Sequence, residues 1–407
     1  MILAKRDQMA ILKLMLKEFP WDDEYRVANT DTVLTPALVL YPEIVASNIE
    51  RTIALLNGDE RRWRVHVKTA KLGYTMRMLA ERGAVNFKCA TTLELLMACE
   101  SGAKDVLVAY PVMGANARRI WEIAELFPKV RISVLAENAE QVMQWRGSSM
   151  GVFLDINPGM NRTGIEQGRG DEIVKMVQAI RETKLDFRGL HYYDGHYGGL
   201  DEGERTAFAH TGYDRLLAIV EELEKNGIAV EEVITAGTPT FPCSLSYAGF
   251  RREKFVHRVS PGTVVYNDAT SLAQLPREYG YKPAVMVATR VISHPRTGII
   301  SCDAGHKAVS ADAGVPTCIV AGHSELTPLP PSEEHLPMDV VGGGVGPKVG
   351  EVLYLLPRHV CPTVNNFDYA LLVRRNQVEA VERVSARGRE IPIAQSKLKV
   401  LEHAAKS

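Results

Sequence analysis

The 407 residues carry 48 Lys plus Arg against 49 Asp plus Glu, a formal net charge of −1, with 46% hydrophobic and 24% charged residues. So balanced a charge creates no long-range field that would gather nucleic acid or anionic lipid, and no block of like charges stands out locally. At about 150 residues per domain the chain has room for two or three domains, although an α/β barrel can take roughly 250 residues as one unit.

In chain order, residues 1–21 set Lys5, Arg6, Asp7, Lys13, Lys17 and Glu18 among apolar residues. That pattern breaks a signal-peptide core and predicts an amphipathic helix. Nothing later reaches the roughly 18 uninterrupted apolar residues of a membrane span. The six cysteines, Cys89, Cys99, Cys243, Cys302, Cys318 and Cys361, form no CxxC pair, which predicts reduced thiols and a cytoplasmic setting. Cys89 and Cys99 read as small core residues.

From residue 33 to 268 one unit recurs: a short apolar or β-branched run ending in polar residues, then a stretch with helical periodicity. After an opening strand at Ala37–Leu40 and a helix at 44–56, strands are predicted at 64–68, 85–91, 106–110, 132–137, 152–157, 187–193, 232–237 and 263–267. Helical patterns at 75–82, 93–101, 115–127, 171–183 and 206–226 lie between them. Eight strands alternating with helices predict a (β/α)8 TIM-type barrel over residues 35–272. Such a barrel carries its chemistry at the C-terminal strand ends, and the runs do close on polar residues: Lys68 and Thr69, Thr91, Tyr110, Glu137, Asp155 and Asn157, His191 and Tyr193, Thr235 and Thr238.

Past residue 280 the alternation stops. Strands at 285–293 and 299–303, joined through Pro295-Arg296-Thr297-Gly298, read as a hairpin, and others follow at 317–320, 351–356 and 369–374. This predicts a mostly β domain built from residues 1–34 and 273–393, with 328–348 as a long functional loop and 394–407 as a flexible tail.

Two features of the barrel suggest a phosphorylated aldehyde cofactor. Lys68 ends an apolar run in His66-Val67-Lys68-Thr69-Ala70-Lys71, where desolvation would favour the neutral amine that forms a Schiff base; an ion-paired lysine is the plainer alternative. The loops after the seventh and eighth strands, Ala236-Gly237-Thr238-Pro239-Thr240 and Ser260-Pro261-Gly262-Thr263, offer backbone N–H groups and hydroxyls for a phosphate, or are plain turns.

The segment 64–71, the run from Asp155 to Gly164, Tyr193-Asp194-Gly195-His196 and Asp303-Ala304-Gly305-His306-Lys307 together resemble the D-threonine aldolase and D-serine dehydratase family, over about residues 35–363. The resemblance implies an alanine-racemase-like barrel that binds pyridoxal 5′-phosphate, followed by a β domain. It implies that Lys68 is the Schiff-base lysine, that Arg162 and Tyr193 meet the cofactor, and that Gly237, Thr238, Gly262 and Thr263 hold its phosphate. Ala70 stands where the family has histidine, and Lys71 is a minor rival for the Schiff base.

Arg358-His359-Val360-Cys361-Pro362 resembles the family's metal-binding His-x-Cys or His-x-Asp. On an extended strand His359 and Cys361 would share a face and hold one divalent cation, Zn²⁺ being favoured over Mg²⁺ or Mn²⁺ by the thiolate. Ser332-Glu333-Glu334-His335 also matches a family motif near this site, with His335 the residue to approach substrate. His257 and His294 lack a partner pattern.

The implied activity is a metal-assisted lyase for small D-3-hydroxy amino acids. A D-serine or D-3-hydroxyaspartate dehydratase stands first, retro-aldol cleavage to glycine and an aldehyde second, and an amino-acid racemase third. The resemblance also implies a homodimer, with neither nucleic acid nor membrane as partner.

Overall fold

Short apolar runs flanked by turn residues form eighteen strands in the computed structural model, which describes residues 23–251 and 254–392. The expected N-terminal helix and C-terminal tail lie outside the described residues. In chain order the first ten strands are β1 (Ala37–Leu40), β2 (Arg64–His66), β3 (Asn86–Cys89), β4 (Asp105–Val108), β5 (Arg131–Ala136), β6 (Gly151–Asn157), the two-residue β7 (Ile165–Glu166), β8 (Asp186–Tyr192), β9 (Glu232–Thr235) and β10 (Val256–Val259). All but β1 and β7 lie in one parallel path, β2-β3-β4-β5-β6-β8-β9-β10. A parallel bridge between Trp63 and Val259 closes the path on itself. The molecule has the barrel that the alternation predicted.

The eighth barrel strand is not where the sequence placed it. Thr263–Val265 is a 3-10 turn, and β10 supplies the strand instead. With His257 and Arg258 at its centre, β10 lacks the apolar run that marks the other strands.

The barrel interior is stratified. At the N-terminal end Arg64 pairs with Glu232 and Asp105 at 2.7 and 2.8 Å, while Arg188 pairs with Asp105 at 2.9 Å. Above them Leu107, Leu135, Phe153 and Ile234 form an apolar layer, with both guanidinium groups against the Phe153 ring at 5.7 and 5.4 Å. The next layer, toward the C-terminal strand ends, is polar again, with Lys88, Asp155 and His191 all buried. In β8, Arg188 and His191 both face inward although they are three positions apart, because the β6 pairing skips Arg188. Gly189 makes this bulge possible: it has φ 144°, and a Cβ there would sit 1.8 Å from the Glu232 carbonyl oxygen.

The second sheet is built from β11 (Val285–Arg296), β12 (Ile299–Cys302), β13 (Cys318–Val320), β14 (Leu326–Pro328), β15 (Leu336–Val340), β16 (Val352–Pro357), β17 (Tyr369–Arg374) and β18 (Gln377–Arg383). The opening strand β1 joins it, antiparallel to β11 and parallel to β17, although the expected barrel domain began at residue 35. The segment 328–348 is only partly loop. Its strand β15 lies between β12 and β14 and buries Leu336, Met338 and Val340 on alternate positions. No helix among the described residues is long and apolar enough to cross a membrane.

Candidate active site

A cavity of about 250 Å³ opens at the C-terminal end of the barrel, against the second sheet, and Lys68, Tyr193, Gly237, Thr238, Gly262, Thr263, His359 and Cys361 all line it. Lys68 stands not inside β2 but on the turn that follows it, so its side chain reaches the chamber from the strand end. Its Nζ lies 5.8 Å from the centre of the Tyr193 ring, and the Arg162 guanidinium lies 4.9 Å from that centre.

The two small-residue loops meet on the same wall. The Thr263 N–H donates to Thr238 Oγ1 at 3.2 Å. A Cβ at Gly262 would come within 2.3 Å of the His66 carbonyl oxygen, so only glycine allows the loop this close to β2. Beside it, the buried Ser260 Oγ lines the cavity and has no hydrogen-bond partner. An orphaned hydroxyl, two hydroxyl-bearing loops and a lysine at the mouth fit a phosphorylated pyridine aldehyde: Lys68 for the aldehyde carbon, and Thr238, Gly262 and Thr263 for the phosphate.

His359 and Cys361 do converge on the cavity, but not on an extended strand. His359 is extended at φ −136° and ψ 107°, whereas Cys361 lies in the first turn of the helix Val360–Val364. Pro362 lies in the first turn of that helix, where its missing N–H costs no intrahelical bond, and it would remove a ladder bond from a continued strand. The two side chains hydrogen-bond each other. Burial opposes ionisation of both, yet that bond, with Asp268 and Asp312 near the imidazole, pushes His359 up to about 10. The same bond and the Lys68 charge hold the Cys361 thiol below its ordinary range despite burial.

Three further side chains fix the pair. Thr69 Oγ1 is 3.0 Å from Cys361 Sγ, and His359 Nδ1 is 2.6 Å from Asp312 Oδ2. Asp268 accepts from the N–H groups of Val360 at 3.0 Å and Ser271 at 2.7 Å. Among the described residues no group of three His, Cys, Asp or Glu side chains is close enough to bind one ion. An imidazole and a thiolate are donor types of a cation site, and two such donors would leave positions for water or substrate.

Two expectations fall away from the site. His335 is exposed and does not line the cavity; its neighbours Glu333 and Glu334 pair with Lys307 on the surface. Lys71 is buried in an ion pair with Glu94 at 2.7 Å and donates to the Ala386 carbonyl, which makes it structural. Ala70 is buried, and its carbonyl accepts from Tyr266 at 3.1 Å; the imidazoles that line the cavity are His66 and His359. Sequence reasoning missed His66 and Asp268 in the lining, whereas Ser260 belongs to a loop it had assigned to the phosphate. It also missed Lys88, whose signal was there to read: a lysine inside an apolar barrel strand.

The family model described as alanine racemase, N-terminal domain, matches residues 43–270. The chain belongs to that family. A second model, putative serine dehydratase domain, matches residues 284–373, the second sheet. The chain is 28% identical over 376 residues to a 3-hydroxy-D-aspartate aldolase of Paracoccus denitrificans, covering 88% of this chain and 93% of that one. It is 26% identical to a D-threonine aldolase of an Arthrobacter species, covering 87% and 93%. The solved D-threonine aldolase of Filomicrobium marinum superposes with a TM-score of 0.80 at 26% identity over 89% of this chain and 98% of that one. A D-threo-3-hydroxyaspartate dehydratase of Delftia, at 20% identity and a TM-score of 0.69 over 86% and 98%, shares the fold. Pyridoxal phosphate dependence accompanies membership of this family, in agreement with the fit of the cavity.

Proposed function

We propose that this chain is a pyridoxal-phosphate- and metal-assisted lyase for D-3-hydroxy amino acids, with loss of the 3-hydroxyl and deamination as its principal outcome. One observation carries the reading: the lysine suited to the cofactor and the His359–Cys361 pair face a single cavity and touch through Thr69. When bound, the cofactor withdraws electrons from the substrate's Cα, and a cation at His359 and Cys361 supplies Lewis acidity to a hydroxyl beside it. Zn²⁺ suits an imidazole–thiolate pair better than Mg²⁺ or Mn²⁺ does.

The chain's own side chains supply the rest. Lys68 is placed to take the proton from Cα, since no carboxylate pairs with its amine among the described residues. Thr238 and Thr263 anchor the phosphate end, and Tyr193, braced by Arg162, forms one wall of the chamber. Thr69 and Asp312 hold the thiolate and imidazole in the orientation that a hydroxyl-bearing substrate meets. Six buried, unpaired cysteines suit a reducing compartment such as the cytoplasm, and the family resemblance supports a homodimer.

A second reading, retro-aldol cleavage, is favoured by the aldolase names of the relatives at 26–28% identity. Incubation with D-serine, D-threonine and D-3-hydroxyaspartate separates the two. Keto acid with ammonia supports dehydration, glycine with an aldehyde supports cleavage, and metal-independent racemisation would overturn both.

A further inference from the structure

Beside the Tyr193 ring lies a second lysine that the mechanism above does not use. Lys88 is 2% exposed, and its Nζ is 5.8 Å from the centre of the Tyr193 ring, as is Nζ of Lys68. Among the described residues no carboxylate pairs with it directly. Its polar neighbour is His191, with Nε2 at 3.3 Å, and the other ring nitrogen of His191 lies 2.7 Å from Asp155 Oδ1. Carboxylate, imidazole and amine thus form a buried chain across β6, β8 and β3. A cavity of about 20 Å³, room for about one water, lies beside it, bounded by Asp155, Arg162, His191 and Tyr193.

The groups that act on Lys88 come from three sides. Arg64, His66 and Lys68 belong to β2 and its turn, Asp155 and Arg162 to β6 and the loop after it, and His191 and Asp194 to β8 and the turn beyond. Cations outnumber carboxylates here, so the chamber has reason to shed a proton. Burial, and after it the charge of Lys68, brings the Lys88 amine down to about 7, with Asp155 opposing. Burial and Lys88 also lower His191.

We propose that Lys88 is a positioning residue of the active centre: it shares a proton with His191 beside the Tyr193 ring, and that proton sets the charge behind the Tyr193 wall of the cavity. The exchange balances. An ammonium proton passes from Lys88 to His191 Nε2, the amine becomes neutral, and the resulting imidazolium stays paired with the Asp155 carboxylate through Nδ1–H. This role rests on the lyase reading above, because it acts on whatever occupies the cavity.

The test compares the cofactor-loaded wild type with Lys88→Met, Lys88→Arg and His191→Gln. Visible absorption and kcat are followed from pH 5.5 to 9, and the attachment point is mapped after borohydride reduction. We expect a wild-type transition near neutral pH that is lost in Lys88→Met and in Lys88→Arg. Cofactor should stay on Lys68 in every variant, and kcat should fall about tenfold in Lys88→Met with KM changed by less than twofold. Wild-type spectra and pH profiles in Lys88→Met and His191→Gln, with kcat within twofold, would overturn the proposal while leaving the lyase reading intact. Failure of the wild type to bind pyridoxal phosphate at Lys68 would overturn that reading, and this one with it.

Discussion

Thr69 Oγ1 lies 3.0 Å from Cys361 Sγ, joining residues 292 positions apart. Because Thr69 directly follows Lys68, the contact couples the turn that presents the amine to the thiol of the second domain. The lysine turn and the His359–Cys361 pair thereby share one wall.

The His359–Cys361 pair makes metal binding directly testable. Cys361→Ala should lose the bound cation and most of the activity, since a single imidazole is a poor anchor. Asp312→Ala should keep the ligands but free the imidazole, which is 2.6 Å from the Asp312 carboxylate, and weaken metal affinity roughly 10–100-fold. Metal content after gel filtration and competition with a chelator measure both; equal retention in Cys361→Ala and wild type would refute the assignment.

Lys68 and Lys71 should separate cleanly. Lys68→Ala is expected to fold normally and to lose the borohydride-fixed cofactor. Lys71→Met leaves the buried Glu94 carboxylate without its 2.7 Å partner and should destabilise the protein by about 3–5 kcal/mol. Peptide mapping and denaturant unfolding distinguish them, and label recovered on Lys71 in the wild type would reverse the assignment.

Lys88→Met should raise stability while lowering activity. Burial depresses the amine from its ordinary 10.5 to about 7, so folding is favoured above 10.5 and loses that advantage as pH falls toward 7. Methionine removes the dependence. The variant's advantage should widen on acidification through that window and level off below it, reaching at most about 5 kcal/mol. Thermal melts at pH 6, 8 and 10 would show it; a constant difference would count against a titrating Lys88.

At the opposite end of the barrel, Glu232 is buried between Arg64 and Arg258. Glu232→Gln should cost about 3–5 kcal/mol by leaving guanidinium charge uncompensated, with cofactor affinity unchanged in the folded fraction. Arg64 and Arg188 outweigh burial in holding the Asp105 carboxylate well below its ordinary 3.8. Its contribution to stability is complete above that value and is lost as pH falls below it. Acid unfolding of Asp105→Asn should therefore be shallower than that of the wild type below pH 4.

The sequence alone determined the eight-fold alternation, the lysine at the first strand end, the two small-residue loops and the His359–Cys361 pair. Each is a local pattern: a period of two or 3.6 residues, a turn composition, or a short motif. Only the tertiary structure decided that β10 rather than 263–267 closes the barrel, that β1 belongs to the second sheet, and that His335 does not line the cavity. It alone brought Lys88, His191 and Asp155 together, since their meeting depends on strand register and on the Gly189 bulge that turns both Arg188 and His191 inward. Period-two alternation would place those two on opposite faces. A motif shows which groups are available, but distances between groups a hundred residues apart are set by register and closure of the barrel, which no local window of sequence contains.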